Sequence, residues 1–592
     1  MLSAQYYIAK SRITAWGGPM FYEFNMSPTQ DPTHFPTASK STLIGSGTAV
    51  PDLSQDITAI WTDPLNNRYN TFDNTEQRFL LTLTGEKSAW NYSANASYSS
   101  NKNLQSGTGY PDETIMETAD GSYLNDLINP FGPQSAAGQA LIDSAYKPVA
   151  WAVGKLTTWN LNGQVSHDLA DFFNAGEPAR FAVGVDVRGE RIAYNTTPLA
   201  AVLSGVTGFP PTAVVGSRNE QAVYAELSLP VTRQLELTVS DREDRYSDFG
   251  KTNNGKIAFR FQPSHLVTFR GAASTGFRAP TLVNLYSPTT LGAAAGDMNG
   301  PGCTTSGGSP TYPTIFTQAT CNSQGLVLSG GNPTLKPERS RNFDLGIVLA
   351  PVKDWGLTID WYRIVVTKDI STVPTSTIYA NPGQFMNLYK LNSAGTLTPS
   401  IAQANDCPTP EAATCGYIET NLANVGGRMT NGFDLSSSYL LRTDIGNLRF
   451  GLEGTLVTQF RRQSYTGAPW KSVLGNYNGT NQVVVPWQSN LSVDWTKDIW
   501  AAGISQHLDS QYVDQQTLSD GSAHIVKAYA VYNAYVSVKP VSNVTVLLGV
   551  HNLLNRNPPA TNQYVSNFQL GYNPLLADPT GRALYATLKA DF

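Results

Sequence analysis

The chain has 592 residues, a length that ordinarily means several soluble domains, yet only 14% of its residues are charged, against roughly 25% in soluble proteins. Its 50 Gly, 28 Tyr and 11 Trp, beside 7 Met and 4 Cys, suit many strands and turns better than a helical or disulfide-dense scaffold. A net charge of -5 and a pI near 5.8 supply no basic footprint, so nucleic acid is not an expected partner.

No stretch reaches the roughly 18 to 20 apolar residues of a membrane helix, and the mean hydropathy is -0.23. A barrel strand escapes both measures, because its apolar and polar positions alternate and cancel in the average. The start, Met1-Leu2-Ser3-Ala4-Gln5-Tyr6, has no basic segment followed by an apolar one, so no signal peptide is read there.

In chain order, residues 1–76 read as a partial N-terminal region with one strand at 11–25. Residues 77–592 repeat one device, a run of about ten residues alternating in polarity and then a turn. Phe181, Val183, Val185 and Val187 alternate with Asp186 and Arg188, and Val223, Ala225, Leu227 and Leu229 with Glu226 and Ser228. In the run 447–461 the apolar set is Leu448, Phe450, Leu452, Leu456 and Phe460, opposite Arg449, Glu453, Gln459 and Arg461. Leu491, Val493 and Trp495 follow, opposite Ser492 and Asp494, and then Val544, Val546, Leu548 and Val550.

The connections alternate too. Short turns are expected at 85–88, 262–265, 351–354, 443–446, 496–498 and 539–542. Between them lie long Gly/Ser/Asn/Pro-rich loops at 99–154, 192–219, 278–339 and 370–427, with shorter ones at 463–484, 510–525 and 552–580. Short turns at one end and long loops at the other mark an outer-membrane barrel, whose short turns lie in the periplasm. Roughly 17 strands from residue 77 onward, plus the one at 11–25, fall within the range of such barrels. Trp90, Trp355, Trp495 and Trp500 stand beside short turns, as an aromatic girdle requires. A soluble sandwich, propeller or solenoid also alternates, but it explains neither the loop asymmetry nor the low charge.

Six segments, in order, resemble those of TonB-dependent outer-membrane receptors: Asn129-Pro130-Phe131-Gly132, Tyr246-Ser247-Asp248-Phe249-Gly250, Ser274-Thr275-Gly276-Phe277-Arg278-Ala279-Pro280, Gly331-Asn332-Pro333-Thr334-Leu335-Lys336-Pro337-Glu338, Asn431-Gly432-Phe433-Asp434-Leu435 and His551-Asn552-Leu553-Leu554-Asn555-Arg556. The last strand has Leu584, Ala586, Leu588, Ala590 and Phe592 on one face, similar to the signal read by barrel-assembly machinery. The resemblance implies an all-β fold, an antiparallel transmembrane β-barrel with long extracellular loops, short periplasmic turns and 17–18 of about 22 strands, occupying residues 77–592. It implies the outer membrane of a Gram-negative bacterium, with lipid, lipopolysaccharide, the assembly machinery and a small solute as partners. In the family TonB acts through a plug that carries a TonB box. Neither is found in this sequence, so the first four or five strands are expected to be missing with the plug, and the chain alone is expected not to perform energised uptake.

The implied function is binding and uptake of a scarce solute, such as a siderophore, corrinoid, oligosaccharide or peptide. The loops 278–339 and 370–427 are the expected contact region, with no individual ligand residue singled out. A passive porin and a surface adhesin are the alternatives.

Cys303 with Cys321, and Cys407 with Cys415, each fall within one external loop on an oxidising route, so two local disulfides are expected. Metal binding is the rival, but neither pair has a CxxC spacing or a nearby His. The six histidines, His34, His167, His265, His507, His524 and His551, show no ligand spacing, and no metal or cofactor is expected. Asp241-Arg242-Glu243-Asp244-Arg245 is read as an ion-paired or solvated mouth. The sequon Asn91-Tyr92-Ser93 falls within a strand and is discounted. No nucleophile elbow, phosphate loop or catalytic pair appears, so no enzyme activity is expected.

Overall fold

The computed structural model describes residues 1–29, 32–35, 56–118, 123–197, 213–298, 315, 321, 323–399, 407, 410–477, 483–518, 520–562 and 571–590. The wall begins with β1 (Leu2–Met26), β2 (Ile57–Lys87), β3 (Trp90–Thr108), β4 (Val149–Asp168), β5 (Arg180–Thr196) and β6 (Ala213–Pro230). It continues through β7 (Leu235–Tyr246), β8 (Gly250–Ser264), β9 (Val267–Arg278), β10 (Glu338–Leu349), β11 (Trp355–Thr367) and β12 (Gly427–Thr443). Last come β13 (Gly446–Gln463), β14 (Trp487–Lys497), β15 (Trp500–Asp509), β16 (Tyr529–Val541), β17 (Val544–His551) and β18 (Ala583–Ala590). The principal sheet has nineteen strands, of which Lys471–Ser472 is a two-residue spur on β13, and the other eighteen pair antiparallel in chain order. This meander is the wall of a transmembrane β-barrel.

Residues opposite one another in an antiparallel pair share a face, so the register fixes what each face carries. Leu229, Leu237, Phe259, Gly271, Leu345, Trp361, Phe433 and Leu456 are successive partners across β6 to β13. Leu448, Trp495, Ala502, Val536, Leu548 and Ala586 carry the same face on to β18. These rows form a continuous apolar band for lipid.

The other face is polar and hydrogen-bonded along its own rows. Thr82 donates to Asn95 (2.8 Å), Asn95 to Asn162 (2.9 Å), Asn162 to Asn160 (2.8 Å) and Asn160 to Asp186 (2.9 Å). Arg270 on β9 grips Asp360 on β11 at 2.9 and 2.6 Å, reaching over Gly346 on the strand between them. A Cβ at Gly346 would collide with the Asp360 carboxylate, so glycine makes that bridge possible. Tyr535 likewise lies across Gly503 to donate to Asp494 at 2.8 Å.

Turns of a few residues join β2 to β3, β8 to β9, β10 to β11, β12 to β13, β14 to β15 and β16 to β17, the six places where short turns are expected. At the far end the chain makes its long excursions, except at the three-residue turn 247–249 between β7 and β8. Trp90, Trp355 and Trp500 each open a strand at the short-turn end. Trp355 donates its indole N–H to Ser437 Oγ (3.1 Å) and Trp495 to Ile445 O (2.8 Å), which keeps the polar edge at the interface and the ring toward lipid.

Three features differ from the sequence reading or refine it. The first strand starts at Leu2 rather than residue 11, and residue 77 lies in the middle of β2. A register shift on β13 passes over Thr458, so Phe460 pairs with Thr430 whereas Leu456 pairs with Phe433. Positions 430 and 433 are on opposite faces, and the bulge therefore removes Phe460 from the lipid-facing row. In β18, Leu584 and Leu588 are 82% and 72% exposed on the outward side, while Phe592 lies outside the described residues. Among the described residues no pairing joins β18 to β1.

Neighbouring residues test the assignment of faces. Ile504→Arg places a cation on the lipid side and is expected to destabilise the folded protein by about 2–4 kcal/mol. Ser505→Arg faces the lumen and should cost within about 0.5 kcal/mol. Urea midpoints for folding into lipid vesicles would separate the two, and equal effects would contradict the register.

Candidate functional site

The long-loop end is built from loops that fold against one another. In the loop 279–337, Gln324–Ser329 pairs antiparallel with Thr290–Asp297, and it pairs parallel with Tyr417–Glu419 from the loop 368–426. Tyr417–Glu419 also pairs with Tyr389–Lys390, so a single small sheet unites the two longest excursions. Beneath it Met298, Ile378, Tyr379, Phe385, Tyr389, Leu397 and Ile418 form a core. Tyr389 donates its hydroxyl to Ile378 O at 3.0 Å, and burial pushes the Tyr379 phenol above its ordinary pKa. These aromatic side chains, in the loops where ligand contacts are expected, hold the cap together instead of lining an open surface.

Cys407 and Cys415 are joined by a disulfide and pack on Leu326 of the other loop. Cys321 is disulfide-bonded, and Cys303 lies outside the described residues.

The cap is tied to the wall at Glu338, whose side chain is 4% exposed. Its carboxylate takes Arg278 Nε (2.8 Å) and Nη2 from β9, Ile370 N (2.9 Å) from the cap, and Arg428 Nη2 (3.4 Å) from β12. Arg428 also reaches Asp369 at 3.3 Å. Asn424 donates to Lys336 O (2.6 Å) and Lys368 O (3.0 Å) and accepts from Lys336 N (2.7 Å). Two of the six segments singled out in the sequence thus meet, since Arg278 ends the pairing strand of one and Glu338 closes the other. The His551 to Arg556 segment acts locally. Asn552 accepts from Arg556 N (2.7 Å) and donates to Arg556 O (2.8 Å), closing the turn that follows β17.

A second cluster lines the lumen at the upper ends of β5, β6 and β7. Arg188 bridges Glu220 and Glu190 (3.5 Å); Arg218 bridges Glu190 (2.8 Å) and Asp248 (3.6 Å); Arg242 bridges Asp244 (2.8 Å) and Glu220 (3.7 Å). The charged run read from the sequence divides by face. Arg242 and Asp244 join this network, whereas Glu243 pairs with Lys251 (2.7 Å) and Asp241 accepts from Asn253 (2.8 Å) on the other side. Arg218 donates to Pro280 O at 2.6 Å, linking the network to the strand that carries Arg278.

The hairpin Tyr512–Thr517 with Ala523–Val526 docks on the last long loop through Asp514, whose side chain is fully buried. Asp514 accepts from Asn562 N (2.7 Å), Thr561 Oγ1 (2.8 Å) and Gln515 N (2.8 Å), and lies 2.9 Å from His524 Nδ1. Burial pushes its carboxyl up, but the hydrogen bonds from Asn562, Thr561, Gln515 and His524 outweigh that and hold it below the ordinary value.

Under the loop 109–148, a cavity of about 130 Å³ opens between the upper ends of β2 to β5, lined by Phe72, Tyr110, Trp151 and Tyr194. No group of three or more His, Cys, Asp or Glu converges as a metal site among the described residues.

Both anchors can be probed by substitution. Glu338→Gln removes the charge that Arg278 and Arg428 share and is expected to cost about 1–3 kcal/mol, below the loss at a fully enclosed pair because water reaches both arginines. Trypsin cleavage at Lys368 and Lys390 should accelerate while the strands stay protected; unchanged cleavage would remove Glu338 as the anchor. A carboxylate with a depressed pKa stabilises fully above its unfolded value of about 3.9 and loses that contribution as pH falls through its folded value. Hydrogen-exchange protection factors across 512–526 should therefore fall on acidification below about pH 4, and Asp514→Asn should abolish that fall.

The family model described as TonB dependent receptor-like, beta-barrel, matches residues 19–553. The siderophore receptor PirA of Acinetobacter baumannii is similar in structure, with 16% identity, a TM-score of 0.55, and coverage of 90% of this chain and 68% of that one. A variant of the ferric enterobactin receptor PfeA of Pseudomonas aeruginosa, in complex with enterobactin, has 15% identity and a TM-score of 0.57 over 89% of this chain and 68% of that one. PfeA in complex with BCV-L6 has 13% identity and a TM-score of 0.55 over 100% of this chain and 81% of that one. No curated protein matches in sequence. At these identities the likeness to the solved structures is one of fold.

Proposed function

The chain belongs to the TonB-dependent receptor-like β-barrel family, and from that premise we propose that it forms the wall of an outer-membrane receptor that binds a scarce small solute for TonB-driven uptake. The observation that carries this reading is the cap: the two longest loops share one sheet and one core and are pinned to the wall at Glu338. A passive sieve has no use for so much ordered structure above its pore, whereas a receptor needs loops held in a fixed geometry to select a ligand before admitting it.

The apolar band faces outer-membrane lipid and lipopolysaccharide, with the short turns in the periplasm of a Gram-negative bacterium. The barrel-assembly machinery reads the last strand through Leu584, Leu588 and Phe592. The neighbours PirA and PfeA are named for siderophores and ferric enterobactin, so a ferric siderophore is the first solute to test; a corrinoid, an oligosaccharide or a peptide comes next. TonB acts through a plug, and the described residues build wall and cap. The wall therefore supplies recognition and the plug supplies coupling. Catalysis has no part in either.

Binding and transport separate in one experiment. The purified chain is titrated with ferric siderophores, and the same chain is expressed in a receptor-null strain, with and without TonB, while labelled iron uptake is followed. Saturable binding without TonB-dependent uptake is expected. TonB-dependent uptake by this chain alone would overturn the division of labour, and a stable ungated conductance in planar bilayers would replace the receptor with a passive channel.

A further inference from the structure

We infer that the cavity at the upper ends of β2 to β5 is a subsite for a neutral ring bearing hydroxyl groups, a pyranose unit of the solute. The inference rests on the receptor reading and narrows its ligand. The register places the cavity on the lumenal side: Phe72, Gln105, Ala152 and Thr196 are successive partners, on the same face of β2 as Asn74, whose partner Asn103 donates to it at 2.6 Å.

The aromatic walls are built into the strands. Between Gln105 and Ser106 the register shifts, so that Gln105 pairs with Ala152 and Ser106 with Ala150, and Trp151 is the extra residue. A bulge of this kind re-aims a side chain and is over-represented beside functional sites. The indole is turned across Gly107, where a Cβ would stand 2.5 Å from Trp151 Nε1, and Tyr194 lies across Gly154, where a Cβ would stand 3.2 Å from its ring. Tyr110 meets Trp151 edge to face, with centroids 4.3 Å apart and planes at 87°. Phe72 completes the lining. Tyr110 and Trp151 are buried and pack with Val149, Ala152 and Tyr194, so the wall beside the cavity is a rigid aromatic one, suited to a ring-shaped partner.

The polar groups suit hydroxyls. Tyr110 Oη accepts from Asn70 Nδ2 at 2.8 Å and keeps its own hydrogen to donate. Among the described residues the Gln105 amide and the Tyr194 hydroxyl make no hydrogen bond, which leaves one group that both donates and accepts and a second hydroxyl. Among the described residues no acidic or basic side chain lines the cavity. The Arg68 guanidinium lies over the ring of Tyr110 at 5.9 Å, outside the lining. A carboxylate, phosphate or phenolate would therefore enter without a counter-charge and would lose its hydration. A pyranose presents C–H faces to the aromatic rings and hydroxyls to the amide and phenols, and needs no counter-charge. The cavity of about 130 Å³ admits one ring.

The probes are glucose, galactose, mannose and N-acetylglucosamine, with phenol as the aromatic comparison, titrated into the purified full chain. At least one sugar is expected to bind saturably. Trp151→Ala should weaken that binding at least about tenfold, Trp151→Phe should restore part of it, and Gln105→Leu should weaken it without changing thermal unfolding. Absence of binding by every sugar, phenol binding as tightly as the best sugar, or full binding by Trp151→Ala would each overturn the inference. Failure of the receptor reading looks different. Saturable ferric siderophore binding unaffected by Trp151→Ala, with no sugar bound, leaves the receptor standing and removes the subsite, whereas sugar binding by a chain that forms an ungated channel leaves the subsite and removes the receptor.

Discussion

A backbone that crosses hydrocarbon must satisfy each N–H and C=O within the protein, because no water is present to do so and each orphan costs several kcal/mol. In this molecule the requirement is met by a ladder from β1 to β18 in which each strand pairs with its neighbours in sequence. Once the ladder exists, the faces follow, since cross-strand partners point the same way. Leu345 cannot face lipid unless Trp361 and Gly271 do so with it. The same constraint operates at the ends of the sheet: in hydrocarbon the outer edges of β1 and β18 also require hydrogen-bonding partners.

The lumenal face inherits a second requirement. Its polar side chains stand away from the lipid but close to one another, so they are satisfied by rows of amides, as in Asn95, Asn162 and Asn160, or by ion pairs reaching over a glycine, as in Arg270 and Asp360. Toward the long-loop end these rows give way to charge networks, where Arg218 and Arg278 connect strands to loops through Pro280 and Glu338. A loop of about sixty residues has a large entropy to lose on ordering. The cap offsets it by placing the two longest loops on one shared core, where each orders the other, and by fixing their bases at a carboxylate gripped from three sides.

How much of this was readable in the sequence depends on how local the cause is. Period-two alternation and turn residues are local, and they located the strands, the short-turn end with its tryptophans, and the charged run 241–245 at a mouth of the barrel. The bulge at Thr458 was invisible, because polarity alternates across it and only the partner strand reveals the shift. The cap was invisible for a different reason. Tyr417–Glu419 and Gln324–Ser329 lie far apart in sequence, and each is too short to read as a strand until the other supplies its hydrogen bonds. Tyr379 and Phe385 lie in the loop 370–427, expected as a whole to contact ligand, and a loop aromatic carries no mark of whether it faces solvent or a core. Trp151 was invisible as well, since a tryptophan at the long-loop end reads as a member of the second aromatic girdle until the partner strand shows the bulge that turns it to the lumen.

The surroundings of that tryptophan bear on how recognition is divided. The networks around Glu338 and Glu220 are already internally paired, so a ligand charge entering there would have to displace an arginine from a carboxylate and leave a buried partner behind, a loss larger than an exposed ion pair returns. The cavity beside Trp151 has the opposite character, with aromatic faces, an unengaged amide and no charge to displace. Selectivity by neutral surface is cheaper in this lumen than selectivity by charge. The arginines, numerous as they are, keep the wall and its cap in register.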